Sequence, residues 1–225
     1  MITLDEARKL SQKIGVSTYV VLMESYQVLI LNEISEITLS KKLIFKGGTC
    51  LKLVYGSFRF SEDLDFSSTE NIQFSEFKQI IEKLVKPYPE MIVDEIYDMK
   101  QTLFARIVAT REEFKIGIKI EVSKRIEKWL RNKDYKSSFA ISETSMYKPF
   151  INSSSLERIY ADKLKAIKTR NKARDWFDLW FLTEILHKKW NMRVKISRKL
   201  MEDRVRFLLP ESKRSVLNEF IYEND

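Results

Sequence analysis

The sequence predicts an α+β protein, with helices and a mixed sheet over residues 1–150 and a helical domain over residues 151–225. Three observations carry this. Residues 4–14 and 17–35 have helical character, the second stretch ("YVVLMESYQVLILNEI") being apolar on much of its surface and so expected in the core. "MIVDEIYDM", "TLFARIVAT" and "FKIGIKIEVS" alternate as strands. Beyond "KPFINSSS", whose proline and serines suggest a boundary, the pattern is helical to the end.

Between these landmarks the elements follow in order. "KLIFKGG" reads as a short strand running into a glycine turn, with Thr49 opening a helix that Gly56 closes. "EDLDFSS" is a strand, and residues 75–86 form a helix. The chain has 225 residues, 44% of them hydrophobic and 12% aromatic, enough to bury a substantial core. No apolar run reaches membrane-spanning length and the N-terminus lacks the order of a secretory signal, so no membrane contact and a cytoplasmic location are expected.

Composition also restricts the chemistry. Cys50 is the only cysteine and His187 the only histidine, which excludes an internal disulfide and a Cys- or His-rich metal centre. Any metal must then be held by oxygen, as Mg²⁺ or Mn²⁺ is. Cys50 reads as a small buried residue and His187 as a helix-end residue. Residues 151–225 hold 17 Lys and Arg against 11 Asp and Glu, most of the net charge of +8. With Trp190 and Phe207 interleaved, this third of the chain suits phosphate contact and base stacking, or simply a solvated helix face.

The stretch "KGGTCLKLVYGSFRFSEDLDFSS" concentrates the candidate chemistry. Gly47 and Gly48 let backbone approach a ligand closely, and the helix beginning at Thr49 offers free N–H groups suited to phosphate. Asp63 and Asp65, two apart on a strand, point to one face, where paired negative charge favours a divalent cation. Alternation in "KIGIKIEVS" puts Ile116, Ile118, Ile120 and Val122 on one face and Lys115, Lys119 and Glu121 on the other, so Glu121 is placed to join them.

Farther on, Lys163 falls within the apolar helical stripe of Leu156, Ile159, Tyr160, Leu164 and Ile167. It either snorkels to the helix edge or points into a cleft where a triphosphate satisfies its charge, the reading we favour. Asp175 and Asp178 suit the start of the next helix, and Arg174 and Asp178 have the spacing of an i,i+4 pair.

In order and combination these motifs resemble the nucleotidyltransferase site of the DNA polymerase β superfamily. More specifically, "FKGGTCLKL", "FRFSEDLDF" and "DKLKAIKTRNKARDWFDLWFL" are similar to the AbiEii/AbiGii toxin family over residues 40–185. That resemblance implies a polymerase β-like fold with a helical C-terminal domain, an NTP substrate and Mg²⁺. It also implies an RNA acceptor, tRNA in some members, and a possible cognate antitoxin. It places the glycine motif on Lys46, Gly47, Gly48 and Thr49, and an R-x-S-x-D-x-D segment on Arg59, Ser61, Asp63 and Asp65. A later motif falls on Lys163, Arg170, Arg174, Asp175 and Asp178. Two departures are Glu121, where the superfamily commonly has Asp, and Thr49, where Ser is frequent.

On this reading Asp63, Asp65 and Glu121 hold the metal. Lys46, Gly47, Gly48, Thr49, Arg59 and Ser61 bind the nucleotide, Lys163 offsets triphosphate charge, and Asp175 positions the lysine or the nucleotide. A metal-dependent nuclease, a non-catalytic nucleic-acid-binding protein and a structural subunit are the rival readings.

Overall fold

The computed structural model describes residues 1–125 and 127–223, so the expected helical domain 151–225 is followed only as far as Glu223; Ile126, Asn224 and Asp225 lie outside the described residues. Helix α1 (Leu4–Ile14) opens on a capping box between Thr3 and Glu6 and ends at Gly15 in the left-handed region. Helix α2 (Thr18–Glu36) is buried on nearly every side, which accounts for its unbroken apolar sequence. No single helix among the described residues is long and apolar enough to cross a membrane.

Strand β1 (Leu43–Lys46) leads into helix α3 (Gly47–Tyr55), and strand β2 (Asp63–Ser68) returns antiparallel to β1. Helix α3 begins two residues before the expected Thr49, with both glycines in its first turn. After helix α4 (Phe74–Val85) come the antiparallel strands β3 (Met91–Asp98), β4 (Thr102–Arg111) and β5 (Phe114–Ser123). Strands β6 (Tyr135–Phe139) and β7 (Phe150–Ser154) complete a seven-stranded mixed sheet in the order β3-β4-β5-β2-β1-β7-β6. Two neighbouring pairs are parallel, β2 with β5 and β1 with β7.

Strands β6 and β7 are additions to the elements expected from the sequence. Their sequences, "YKSSF" and "FINSS", are short, polar and without sustained alternation, and β7 spans the expected division between residues 150 and 151. The serines that suggested a boundary are sheet residues, Ser153 and Ser154 being buried.

Helices α5 (Leu156–Thr169), α6 (Ala173–Ile185) and α7 (Arg198–Val205) follow, with 3₁₀ turns through Glu219. Two apolar clusters result. One joins α2 to the sheet; the other gathers Trp176, Phe177, Trp180, Met201, Leu209 and Phe220 from the C-terminal segment. Trp190 is half-buried and packs edge-on against Trp176 and Phe220 of this second cluster, whereas Phe207 is exposed. Residues 58–60 bridge the two clusters: Phe60 is buried in the first, and Phe58 stacks edge-on with Phe177 in the second. The backbone N–H of Phe60 donates to the carbonyl of Leu208, which lies in the first cluster next to Leu209 of the second.

Candidate active site

The site lies where β2 and β5 run side by side beneath α5 and the start of α6. Their parallel register sets Asp65 directly beside Glu121, and Asp63 beside Lys119. The alternation of β5 thus delivers Glu121 to the face of β2 that carries both aspartates, with Ile116, Ile118, Ile120 and Val122 buried on the other face. Asp63, Asp65 and Glu121 line one cleft of about 180 Å³ together with Gly48, Ser61, Lys163 and Asp175.

The glycine turn and the D-x-D strand pack directly against each other. Gly47 has φ of +78°, and a Cβ there would lie 2.2 Å from Asp65 Oδ2. A Cβ on Gly48 would meet Arg59 Nη2 at 2.3 Å and Ser61 Oγ at 2.7 Å. Each glycine therefore makes room for site side chains as well as giving the turn its shape. Gly47→Ala is expected to cost roughly 1–3 kcal/mol in backbone strain alone, and to displace the Asp65 carboxylate; a thermal midpoint equal to wild type would contradict this.

Thr49 is buried in the first turn of α3. Its side chain is 1% exposed, and its hydroxyl donates to the Asp63 carbonyl, fastening α3 to β2. The single hydroxyl proton is thereby used within the fold, so the threonine side chain organises the D-x-D strand. Lys46, expected at the nucleotide, lines an adjoining cleft. Ser61 lines the first cleft, its carbonyl held by the Gln27 side chain from α2 at 3.0 Å.

Lys163 lines the cleft, where two carboxylates of α6 meet its charge. The lysine is 8% exposed, with its ammonium 2.8 Å from Asp175 Oδ1 and 2.6 Å from Asp178 Oδ2. Burial opposes its charge, but the two carboxylates outweigh burial and raise its pKa. Asp175 also accepts from Arg170 Nε and Nη2 at 2.7 and 2.8 Å; despite burial, these contacts and Lys163 hold its carboxyl below the ordinary range.

Asp178 and Arg59 form a buried pair that sequence reasoning missed. Arg59 Nε donates to Asp178 Oδ1 at 2.8 Å and Nη2 to Oδ2 at 3.0 Å, with side chains 2% and 1% exposed. Arg59 Nη1 is taken by the Phe60 carbonyl. The expected Arg174–Asp178 pair does not form, because Asp178 faces the interior. Arg174 instead meets Glu62 and comes within 4.0 Å of Asp63. Lys172 and Glu62 join the site surroundings without any sequence motif that marked them.

Among the described residues, no group of three or more His, Cys, Asp or Glu side chains is arranged to hold a metal ion. Asp63 leans toward Lys119 Nζ and Arg174 Nη1, at 3.9 and 4.0 Å, so the acidic side chains share a face and a cleft without converging. The donors nonetheless fit a hard divalent cation, being all oxygen and adjacent in register. Burial, then the neighbouring Asp63 charge, pushes the Asp65 carboxyl up to about 6, the environment of an acid whose negative charge lacks sufficient compensation.

Residues 29–221 match the family described as nucleotidyl transferase AbiEii toxin, type IV TA system. The chain belongs to this AbiEii family. It is accordingly a nucleotidyltransferase of the toxin type. Among solved structures, JHP933 from Helicobacter pylori is 25% identical with a TM-score of 0.53, over 75% of this chain and 68% of that one. MenT4, a nucleotidyltransferase toxin (Rv2826c) from Mycobacterium tuberculosis H37Rv, is 18% identical with a TM-score of 0.59, over 90% and 68% of the respective chains, and supports the fold. No curated protein matches the sequence. The AbiEii match runs from within α2 to Ile221 and includes Asp63, Asp65, Glu121, Lys163 and Asp175.

Proposed function

We propose that this AbiEii-family enzyme transfers a nucleoside monophosphate from an NTP to the end of an RNA acceptor, tRNA in the first instance, with a divalent cation held by Asp63, Asp65 and Glu121. The observation that carries the reading is the β2–β5 register, which sets Asp65 beside Glu121 on the face carrying Asp63 and below Lys163. When bound, Mg²⁺ or Mn²⁺ would supply charge neutralisation and activation of the attacking hydroxyl.

The chain's own residues provide the rest. Gly48 and Ser61 line the cleft that would receive the triphosphate, Gly48 in the N-terminal turn of α3, the end of a helix that favours negative charge. Lys163 supplies a positive charge to the phosphates, held in place by Asp175 and Asp178. Arg170 keeps Asp175 ionised so that the lysine remains charged. A nuclease would need the carboxylates but not this lysine beside a glycine wall, which favours transfer. Type IV membership leads us to expect an antitoxin encoded with the enzyme, and an NTP and tRNA as substrates lead us to expect the reaction in the cytoplasm.

The test is to incubate total tRNA with protein, Mg²⁺ and each of the four NTPs labelled at the α-phosphate, with γ-labelled NTP in parallel. Label from the α-position alone is expected in full-length tRNA. Cleaved tRNA would favour the nuclease, label from the γ-position would make the enzyme a kinase, and intact unlabelled tRNA with every NTP would count against an RNA acceptor.

A further inference from the structure

A second cleft, of about 500 Å³, adjoins the candidate active site and shares Arg170 with it. Its floor continues the same sheet face. Lys46 pairs in register with Asp65 across β1 and β2, and Ser123 stands two residues beyond Glu121 on β5. Two residues along a strand span about 7 Å, so a ligand lying over Ser123 is one short step from the carboxylates. The opposite wall is one face of α5, with Asp162, Lys165 and Thr169 at helical spacing.

Charge in this cleft is unbalanced. Its cations are Lys46, Arg125, Lys165 and Arg170, and its acids are Glu127 and Asp162. Both acids are engaged by Arg158, through a close pair with Glu127 and a 4.0 Å contact with Asp162. Lys46 is largely enclosed, and its side chain makes no hydrogen bond or ion pair among the described residues. Burial lowers its pKa, against the pull of Asp162 and Asp65. Lys165 likewise has no ion-pair partner among the described residues, whereas Gln101 holds the Arg125 guanidinium in place through Nε and Nη2. Arg170 is already paired with Asp175, so Lys46, Arg125 and Lys165 are the cations left for an anion with several charges spaced along it.

We infer that this second cleft binds the phosphate backbone of the acceptor RNA and guides its end across Ser123 to the Asp65–Glu121 pair. The inference rests on the transferase reading for the identity of the acceptor. It assigns separate places to the two substrates: the NTP against Gly48, Ser61 and Lys163, and the RNA strand beyond Arg170.

Direct binding tests this apart from catalysis. Total tRNA is titrated onto wild type and the Arg125→Ala/Lys165→Ala double variant without NTP across a range of salt concentrations, and NTP binding is followed separately by thermal shift. The double variant is expected to bind tRNA at least tenfold more weakly, with the slope of log affinity against log salt reduced by about 1.5 for two lost phosphate contacts, and to keep the wild-type thermal shift with NTP. Unchanged tRNA affinity and salt slope would overturn the inference. Loss of the NTP shift with tRNA binding intact would also overturn it, by assigning the cleft to the triphosphate. Failure of wild type to label tRNA would refute the transferase reading without altering what this binding comparison reports about the cleft.

Discussion

Asp65→Asn is expected to lower nucleotide transfer by about 10³-fold while making the metal-free protein more stable than wild type above pH 6. The two effects have one origin. Asp65 is held against Gly47, beside Glu121 and on the same face as Asp63, so its negative charge is unfavourable until a cation offsets it. Its carboxyl is raised from 3.8 to about 6, and the folded state therefore binds a proton more tightly than the unfolded state does. Wild-type stability should accordingly fall as pH rises from about 4 to about 6 and level off above that, with at most about 2–3 kcal/mol at stake. The asparagine variant lacks this loss. Transfer assays with thermal denaturation between pH 5 and 8 check both halves; a variant that is inactive and equally destabilised would make Asp65 a structural residue.

The largest loss of stability is expected at Asp178. Its carboxylate neutralises Arg59 and helps hold Lys163, all three side chains being nearly excluded from solvent. Asp178→Ala leaves the Arg59 guanidinium buried with only the Phe60 carbonyl as partner. Removing one member of a buried ion pair costs about 3–5 kcal/mol, a fall of about 6–20 °C in thermal midpoint for a chain of this size. The double variant Arg59→Met/Asp178→Leu, which removes both charges, should recover much of that loss. A single variant within about 2 °C of wild type would contradict the account, as would a double variant no more stable than the single.

The parts of the site that follow local periodicity were legible in the sequence. Asp63 and Asp65 share a face because strands repeat every two residues, and the same rule assigned Glu121 its side of β5. Lys163 drew attention because a lysine interrupts a helical apolar stripe, and it is in fact buried. What the sequence could not convey was long-range pairing. Arg59 and Asp178 lie 119 positions apart, so the nearer Arg174 was the natural but incorrect partner for Asp178. Thr49 sits where a helix start suggests a phosphate ligand, yet the Asp63 carbonyl, fourteen positions away, takes its hydroxyl. Strands β6 and β7 escaped notice because their pairing partners, and not their composition, make them strands.

The central claim is that β2 and β5 together present one cation site. Titrating Mn²⁺ into wild type and into Asp63→Asn, Asp65→Asn and Glu121→Gln, followed by paramagnetic resonance, tests it most directly, with Glu62→Gln as the control outside the proposed set. The account predicts that each of the three variants weakens Mn²⁺ binding by at least tenfold and that Glu62→Gln does not. Binding that is unchanged in both Asp65→Asn and Glu121→Gln would contradict it.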